Sequence, residues 1–185
     1  IAGTGADTLI GSGGADILTA AKVFETTPKA ADDISLLIAT TARKRGMAQT
    51  VMTPRQAAEA MIAHHHAGGR AGMLFGAERA GLDNDEAALA NILVTVPLNP
   101  SFSSLNLAQA VLLMGWECRM AGLSLTSDQL KSPSEIEDMA SLGEREYFYG
   151  VLEESIAKGG FFASPDMRPV IMRNIKAMFN KAPLS

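Results

Sequence analysis

Three short stretches hold the residue types best suited to chemistry: Thr40-Thr41-Ala42-Arg43-Lys44-Arg45, Gly76-Ala77-Glu78-Arg79 and Ser103-Ser104-Leu105-Asn106. The first combines hydroxyls with cations directly after an apolar run. That composition suits a phosphate or other polar ligand, and it equally fits a polar strand end with solvated charges. The second opens with a glycine, which lets backbone approach a ligand closely, and continues with a carboxylate and a guanidinium. The third places two hydroxyls beside the free backbone N–H groups of a helix N-terminus, where polar or anionic groups can be held.

The elements that must position these stretches are legible around them. Ile34 to Ala39 (ISLLIA) reads as a buried strand leading into the threonines, and Met73 to Phe75 is a short apolar run ending at Gly76. Asp83 can cap the next helix, with Glu86 as its capping-box partner. Ile92 to Val96 is β-branched enough for a second buried strand. Pro97 and Pro100 bracket a loop, after which Ser103 or Ser104 can cap a long helix running to about Gly122. Strand, loop, helix, strand, loop and helix in this order indicate an α/β fold with a parallel sheet. In such sheets the loops at the carboxyl ends of the strands bind ligands.

The remaining chain supports that frame. Val23-Phe24-Glu25 is a possible short strand, Pro28 to Ala31 a helical turn and Gly46 to Val51 a loop. Thr53-Pro54-Arg55-Gln56 starts a helix with a capping box and proline at its first position, and Gly68-Gly69 ends it. His64, His65 and His66 suggest zinc. Adjacent helical residues point in different directions and no further ligand lies at suitable spacing, so a solvated helix end and no metal are expected. The helix after Ser104 is apolar on nearly every side and should be buried. One sheet face covers only part of it; a second subunit, or the centre of a larger monomer, would cover the rest. Residues 123–134 are polar and linker-like, and two helical patterns follow, Glu135 to Lys158 and Arg168 to Phe179.

Composition sets outer limits. The 185 residues suit one domain with a small appendage, and 47% hydrophobic with 19% charged residues indicate a globular chain. No apolar run reaches the roughly 18 residues a membrane span needs. The single cysteine, Cys118, excludes an internal disulfide and fits a reducing cytoplasm, and its place on a helix suggests packing. A net charge of −4 argues mildly against nucleic acid as a partner. Its distribution softens that: Thr41 to Arg55 holds four basic and no acidic residues, and Ile156 to Ser185 five basic and one acidic. Asp7 and Asp16 lie nine apart in a glycine-rich start that looks like two calcium-binding nonapeptides, too few to form a stack.

The exact wording of the central stretch is more specific than its pattern. LFGAERAGL (Leu74 to Leu82) followed by VPLNPSFSSLNLAQA (Val96 to Ala110) resembles the second and third motifs of the SPOUT superfamily, in its SpoU (TrmH) class of RNA 2′-O-ribose methyltransferases. Gly14 to Leu18 and Thr40 to Arg45 are similar to segments of the same class. EREYFYGVLEESIAKGGFF and MRNIKAMFNKA resemble the C-terminal extension of the TrmJ-type tRNA methyltransferases.

The resemblance implies a parallel sheet flanked by helices, a C-terminal trefoil knot and a small C-terminal helical extension. The implied boundaries are 1–122 for the methyltransferase domain, 123–134 for a linker and 135–185 for the extension. It implies S-adenosylmethionine as methyl donor, held by Thr40, Thr41, Ala42, Gly76, Val96, Ser103, Ser104 and Leu105. It implies a cytoplasmic homodimer joined through the knot helix, Ser104 to Ala121. The substrate implied is tRNA, with pyrimidine 32 of the anticodon loop as target and Arg43, Arg45 and Arg79 on its phosphates. An rRNA 2′-O-methyltransferase, or a catalytically silent domain that binds the donor or RNA, are the alternatives.

A ribose hydroxyl is a poor nucleophile at neutral pH and needs a base, or a cation that stabilises the developing alkoxide. The family credits that task to the arginine of an N-x-G-x-x-A-R motif, which residues 1–13 do not contain. The sequence is then expected to be a piece of a longer chain, or to have lost the motif. Arg43, Glu78, Ser104 and Asn106 are the remaining catalytic candidates.

Overall fold

The computed structural model describes residues 21–42, 49–99, 105–124, 139–162 and 164–180. Four parallel strands form one sheet: β1 (Leu36–Thr40), β2 (Thr50–Met52), β3 (Ala71–Leu74) and β4 (Ile92–Val94), in the order β2-β4-β1-β3. Helices α1 (Thr27–Ala30), α2 (Pro54–His66), α3 (Asn84–Leu89), α4 (Leu107–Ser124), α5 (Leu142–Lys158) and α6 (Arg168–Phe179) complete the described chain. The expected α/β class with a parallel sheet flanked by helices is what forms.

Strand β1 is central because its residues are apolar on both faces. Leu37, Ile38 and Ala39 are fully buried, pairing with β3 on one side and β4 on the other. One face of the sheet packs Leu37, Ala39 and Leu93 with Leu82, Leu89 and Leu142. The other packs Ile38, Ile92 and Val94 with Ala57 of α2 and Met114 of α4. Leu142 comes from α5, so the C-terminal helices share a core with the α/β unit.

Capping explains where the helices begin. The box at Thr53 and Gln56 forms as read, with Pro54 first in the helix. So does the box at Asp83, whose carboxylate accepts from the Glu86 backbone N at 2.7 Å. The long helix differs: it starts at Leu107, not after Ser103 or Ser104. Asn106 is its cap: its Oδ1 accepts from Gln109 N at 2.8 Å, while its backbone N donates to Gln109 Oε1. The helix also runs through Ser124, into the expected linker. Helix α5 begins at Leu142 and not Glu135, because Ser141 and Glu144 form a further capping box there. Helix α6 has the expected bounds.

Three other expectations are corrected. Val23-Phe24-Glu25 forms no strand, and Val23 is 83% exposed. The loop read from Gly46 to Val51 ends in a strand, because the free edge of β4 accepts Thr50–Met52 in parallel register. His64 is not solvated: it is buried, with its Nε2 2.7 Å from Ser35 Oγ, while His65 and His66 are exposed. The glycine-rich residues 1–18 lie outside the described residues.

At the amino ends of the strands a set of buried polar groups joins sheet and C-terminal helices. Arg145 of α5 is 3% exposed, and its guanidinium donates to Ser35 O, Ala140 O and Asn91 Oδ1. Asn91 Oδ1 also accepts from Leu37 N at 2.8 Å. The Leu142 backbone N donates to Ile34 O, and Gly143 sits so close to Asp32 that a Cβ there would meet its carboxylate. Burial pulls the Arg145 guanidinium below its usual pKa, a shift that nearby Tyr149, Glu146 and Glu144 oppose.

Candidate active site

The carboxyl ends of the same strands surround a cavity of about 320 Å3. That size is at the lower end of small-molecule sites, roughly 300–1,000 Å3. Thr40, Thr41 and Ala42 enter it from β1, Gly76 to Leu82 from the loop after β3, and Val94, Val96 and Leu98 from the end of β4 and its loop. Leu105 and one face of α4, made by Leu107, Ala110 and Met114, close the far side.

Local bonding fixes the walls. Thr40 Oγ1 donates to Leu74 O at 3.1 Å, and Thr41 N donates to Val94 O at 2.9 Å, so β1 is pinned to both neighbours at the rim. The loop after β3 folds back on itself: Gly81 N donates to Ala77 O at 2.6 Å. A Cβ on Gly76 would land on the Gly81 and Leu82 backbone, and Gly81 itself has a φ of +67°, so two glycines make this turn. Leu82 then anchors the loop in the core.

Thr40, Thr41, Ala42, Gly76, Val96 and Leu105 thus come together around one cavity, joined by Glu78 and Arg79 on its rim. Both rim residues are exposed, and among the described residues no ion pair engages Arg79. Asn106 does not line the cavity; its side-chain oxygen is engaged in the cap of α4. Arg43, Arg45, Ser103 and Ser104 lie outside the described residues. The α4 face was missed, although Leu107, Ala110 and Met114 stand at helical spacing on one side. Cys118 is partly buried on α4; burial first, and then Glu117, push its thiol pKa up, which suits a packing role over a nucleophilic one.

Residues 8–116, more than half of the chain, match the SpoU rRNA Methylase family. The chain belongs to this family. The SpoU relatives include the tRNA (cytidine/uridine/adenosine-2′-O-)-methyltransferase TrmJ of Pseudomonas aeruginosa, 32% identical over 180 residues. That match covers 94% of this chain and 70% of the relative. A tRNA/rRNA methyltransferase of Haemophilus influenzae described as uncharacterized is 34% identical over 176 residues, 95% of this chain and 70% of its own. Among solved structures, TrmJ from Z. mobilis ZM4 superposes with a TM-score of 0.76 at 42% identity, over 92% of this chain and 69% of that one. The SpoU and TrmJ-type resemblance read from the motifs therefore holds at the level of both sequence and structure.

No helix among the described residues is long and apolar enough to cross a membrane. Helix α4, expected to be buried, shows another arrangement. Met114 and Ala121 are buried, but Leu112, Trp116 and Leu123 are 74%, 59% and 63% exposed on one side. The sheet and α2 cover only the opposite side.

Proposed function

We propose that this SpoU-family chain binds S-adenosylmethionine in the cavity at the carboxyl ends of β1, β3 and β4. We propose further that it serves methyl transfer to a tRNA ribose 2′-hydroxyl, with pyrimidine 32 of the anticodon loop as target. The observation that carries this reading is the convergence of Thr40 to Ala42, Gly76, Val96 and Leu105, far apart in sequence, on one cavity. Relatives named as tRNA 2′-O-methyltransferases support the reaction class.

The lining suits such a donor. Val94, Val96, Leu98, Leu105 and Met114 offer apolar walls for a purine, and the threonines and turn backbone offer polar contacts. S-adenosylmethionine supplies an activated methyl group, so the protein's own task is position and electrostatics. Glu78, on the rim, is a base for the ribose proton, and Arg79 is a cation for a neighbouring phosphate. Arg43 and Arg45 join it on the RNA by resemblance, Arg43 and Ser104 complete the catalytic set, and Ser103 and Ser104 complete the donor site. Asn106 acts through the cap that holds Leu105 in place. An unstacked anticodon-loop nucleotide suits an open site of this kind. The trefoil knot belongs to the same reading, as does a cytoplasmic homodimer in which the exposed side of α4 meets its copy.

Methyl transfer from labelled S-adenosylmethionine to unmodified tRNA, with nucleosides identified by mass spectrometry, tests this. A 2′-O-methylated pyrimidine from the anticodon loop is the expected product. Transfer to rRNA alone would reassign the substrate, and donor or RNA binding without turnover would leave a binding domain.

A further inference from the structure

The loop 76–82 is held in place through a helix too short to hold itself. Helix α3 has six residues, and isolated helices of that length are unstable in water. It follows directly on the cavity wall: Leu82 lines the cavity, and Asp83 caps α3. Its far end has carbonyls that no further helical turn can satisfy. Two buried amides take them. Gln49 Nε2 donates to Ala87 O and Ala90 O, both at 2.7 Å. Asn180, just past the end of α6, donates from Nδ2 to Ala88 O at 2.8 Å. Asn180 is 5% exposed, and its Oδ1 accepts from the buried Tyr149 hydroxyl at 2.9 Å. Arg173 of α6 adds an ion pair with Asp85 at 2.7 Å on the outer side of α3.

We propose that Asn180 is a positioning residue for the cavity, fixing α3 from behind and thereby the wall formed by residues 76–82. The C-terminal helices then set the shape of a site they do not touch. Because Gly81 is bonded to Ala77, the loop follows α3 as a unit. The inference rests on the reading that this cavity binds S-adenosylmethionine, and the test separates the two.

Asn180→Asp keeps an acceptor for Tyr149 but places a carboxylate oxygen against Ala88 O, whereas Tyr149→Phe leaves the bond to Ala88 intact. Donor affinity by calorimetry, hydrogen exchange over residues 76–89 and thermal midpoints are measured for both. Asn180→Asp should weaken donor binding about fivefold, in the range expected of coupling between distant groups, and speed exchange in the loop. Tyr149→Phe should lower the midpoint while leaving donor affinity and loop exchange at the parental values. Equal loss of affinity in both variants, or no change in loop exchange with Asn180→Asp, would overturn the inference. Should Asn180→Asp fail to fold, Arg173→Gln, which opens the outer contact to α3, should show the same signature at about twofold. If the parent protein binds no donor, the functional reading fails, and loop exchange alone still decides whether Asn180 positions the wall.

Discussion

At the amino ends of the strands, Ser35, Asn91 and Arg145 are packed away from water or nearly so, and each is engaged in hydrogen bonds to chain far away in sequence. At the carboxyl ends Ala42, Glu78 and Arg79 are exposed, and loops make most of the cavity walls, with one face of α4 closing the far side. Both ends are rich in polar groups, and the cavity described above lies at the carboxyl end. A buried polar group is normally satisfied internally, and at the amino end this chain's own carbonyls and amides engage most of them, Arg145 Nε being left without a partner among the described residues. At the carboxyl end a carboxylate and a cation, Glu78 and Arg79, stand exposed on the rim of the cavity. On the proposed reading of the cavity, one end of the sheet carries stability and the other recognition.

Substitutions at the two ends should therefore separate in what they change. The largest effect on stability belongs to Arg145→Met, which keeps the apolar stem but strands the carbonyls of Ser35 and Ala140. A loss of about 3 kcal/mol in urea unfolding is expected, from several charge-assisted bonds removed at once, with donor affinity in the surviving folded fraction unchanged. At the other end, Gly76→Ala drives a methyl group into the Gly81–Leu82 backbone. Donor binding should fall at least about tenfold, or about 1.4 kcal/mol, by calorimetry, with a smaller change in thermal midpoint than Arg145→Met. A larger midpoint loss from Gly76→Ala than from Arg145→Met would break the comparison. Asn106→Ala tests whether that amide acts as a cap; removing a cap costs about 1 kcal/mol, readable as a lowered midpoint. A loss of methyl transfer with the midpoint unchanged would instead make it a catalytic group.

A further effect is confined to alkaline solution. Burial pushes the Tyr149 hydroxyl up to about 12, above its ordinary 10. The unfolded chain therefore loses this proton first, and the stability tied to the neutral phenol, complete below about pH 10, declines as pH rises towards about 12. Tyr149→Phe should flatten that part of the stability profile and leave the neutral range with a constant offset.

What could be read in advance follows the range of the forces involved. Capping boxes at Thr53 and Asp83 are local, three residues long, and both form as read. Strand β1 is a continuous apolar run and needs no distant information to be recognised. Strand β2 was hidden because Thr50–Met52 becomes a strand only when the edge of β4 is beside it. Arg145 lies in a helical stretch, EREYFYG, where nothing local marks a charged residue for burial; its guanidinium is engaged by the carbonyl of Ser35, 110 residues earlier. His64 was misjudged for the same reason, since its partner Ser35 lies 29 residues earlier, just before β1. At the site, motif wording singled out eight lining residues, while the α4 face of Leu107, Ala110 and Met114 was overlooked beneath a helix apolar on nearly all sides.

Strand order also has a meaning in time. Among the described strands β2 pairs only with β4, and β4 lies between β2 and β1, although it is the last of the four to be synthesised. As the chain emerges from the ribosome, β1 and β3 can pair as soon as residue 74 is available. Thr50–Met52 must wait, with neither edge covered, until Ile92–Val94 slots between it and β1. The sheet thus cannot grow by adding each new strand to an outer edge, and a nascent chain halted near residue 90 would expose an unpaired strand and one side of β1, the kind of surface that invites association with other chains.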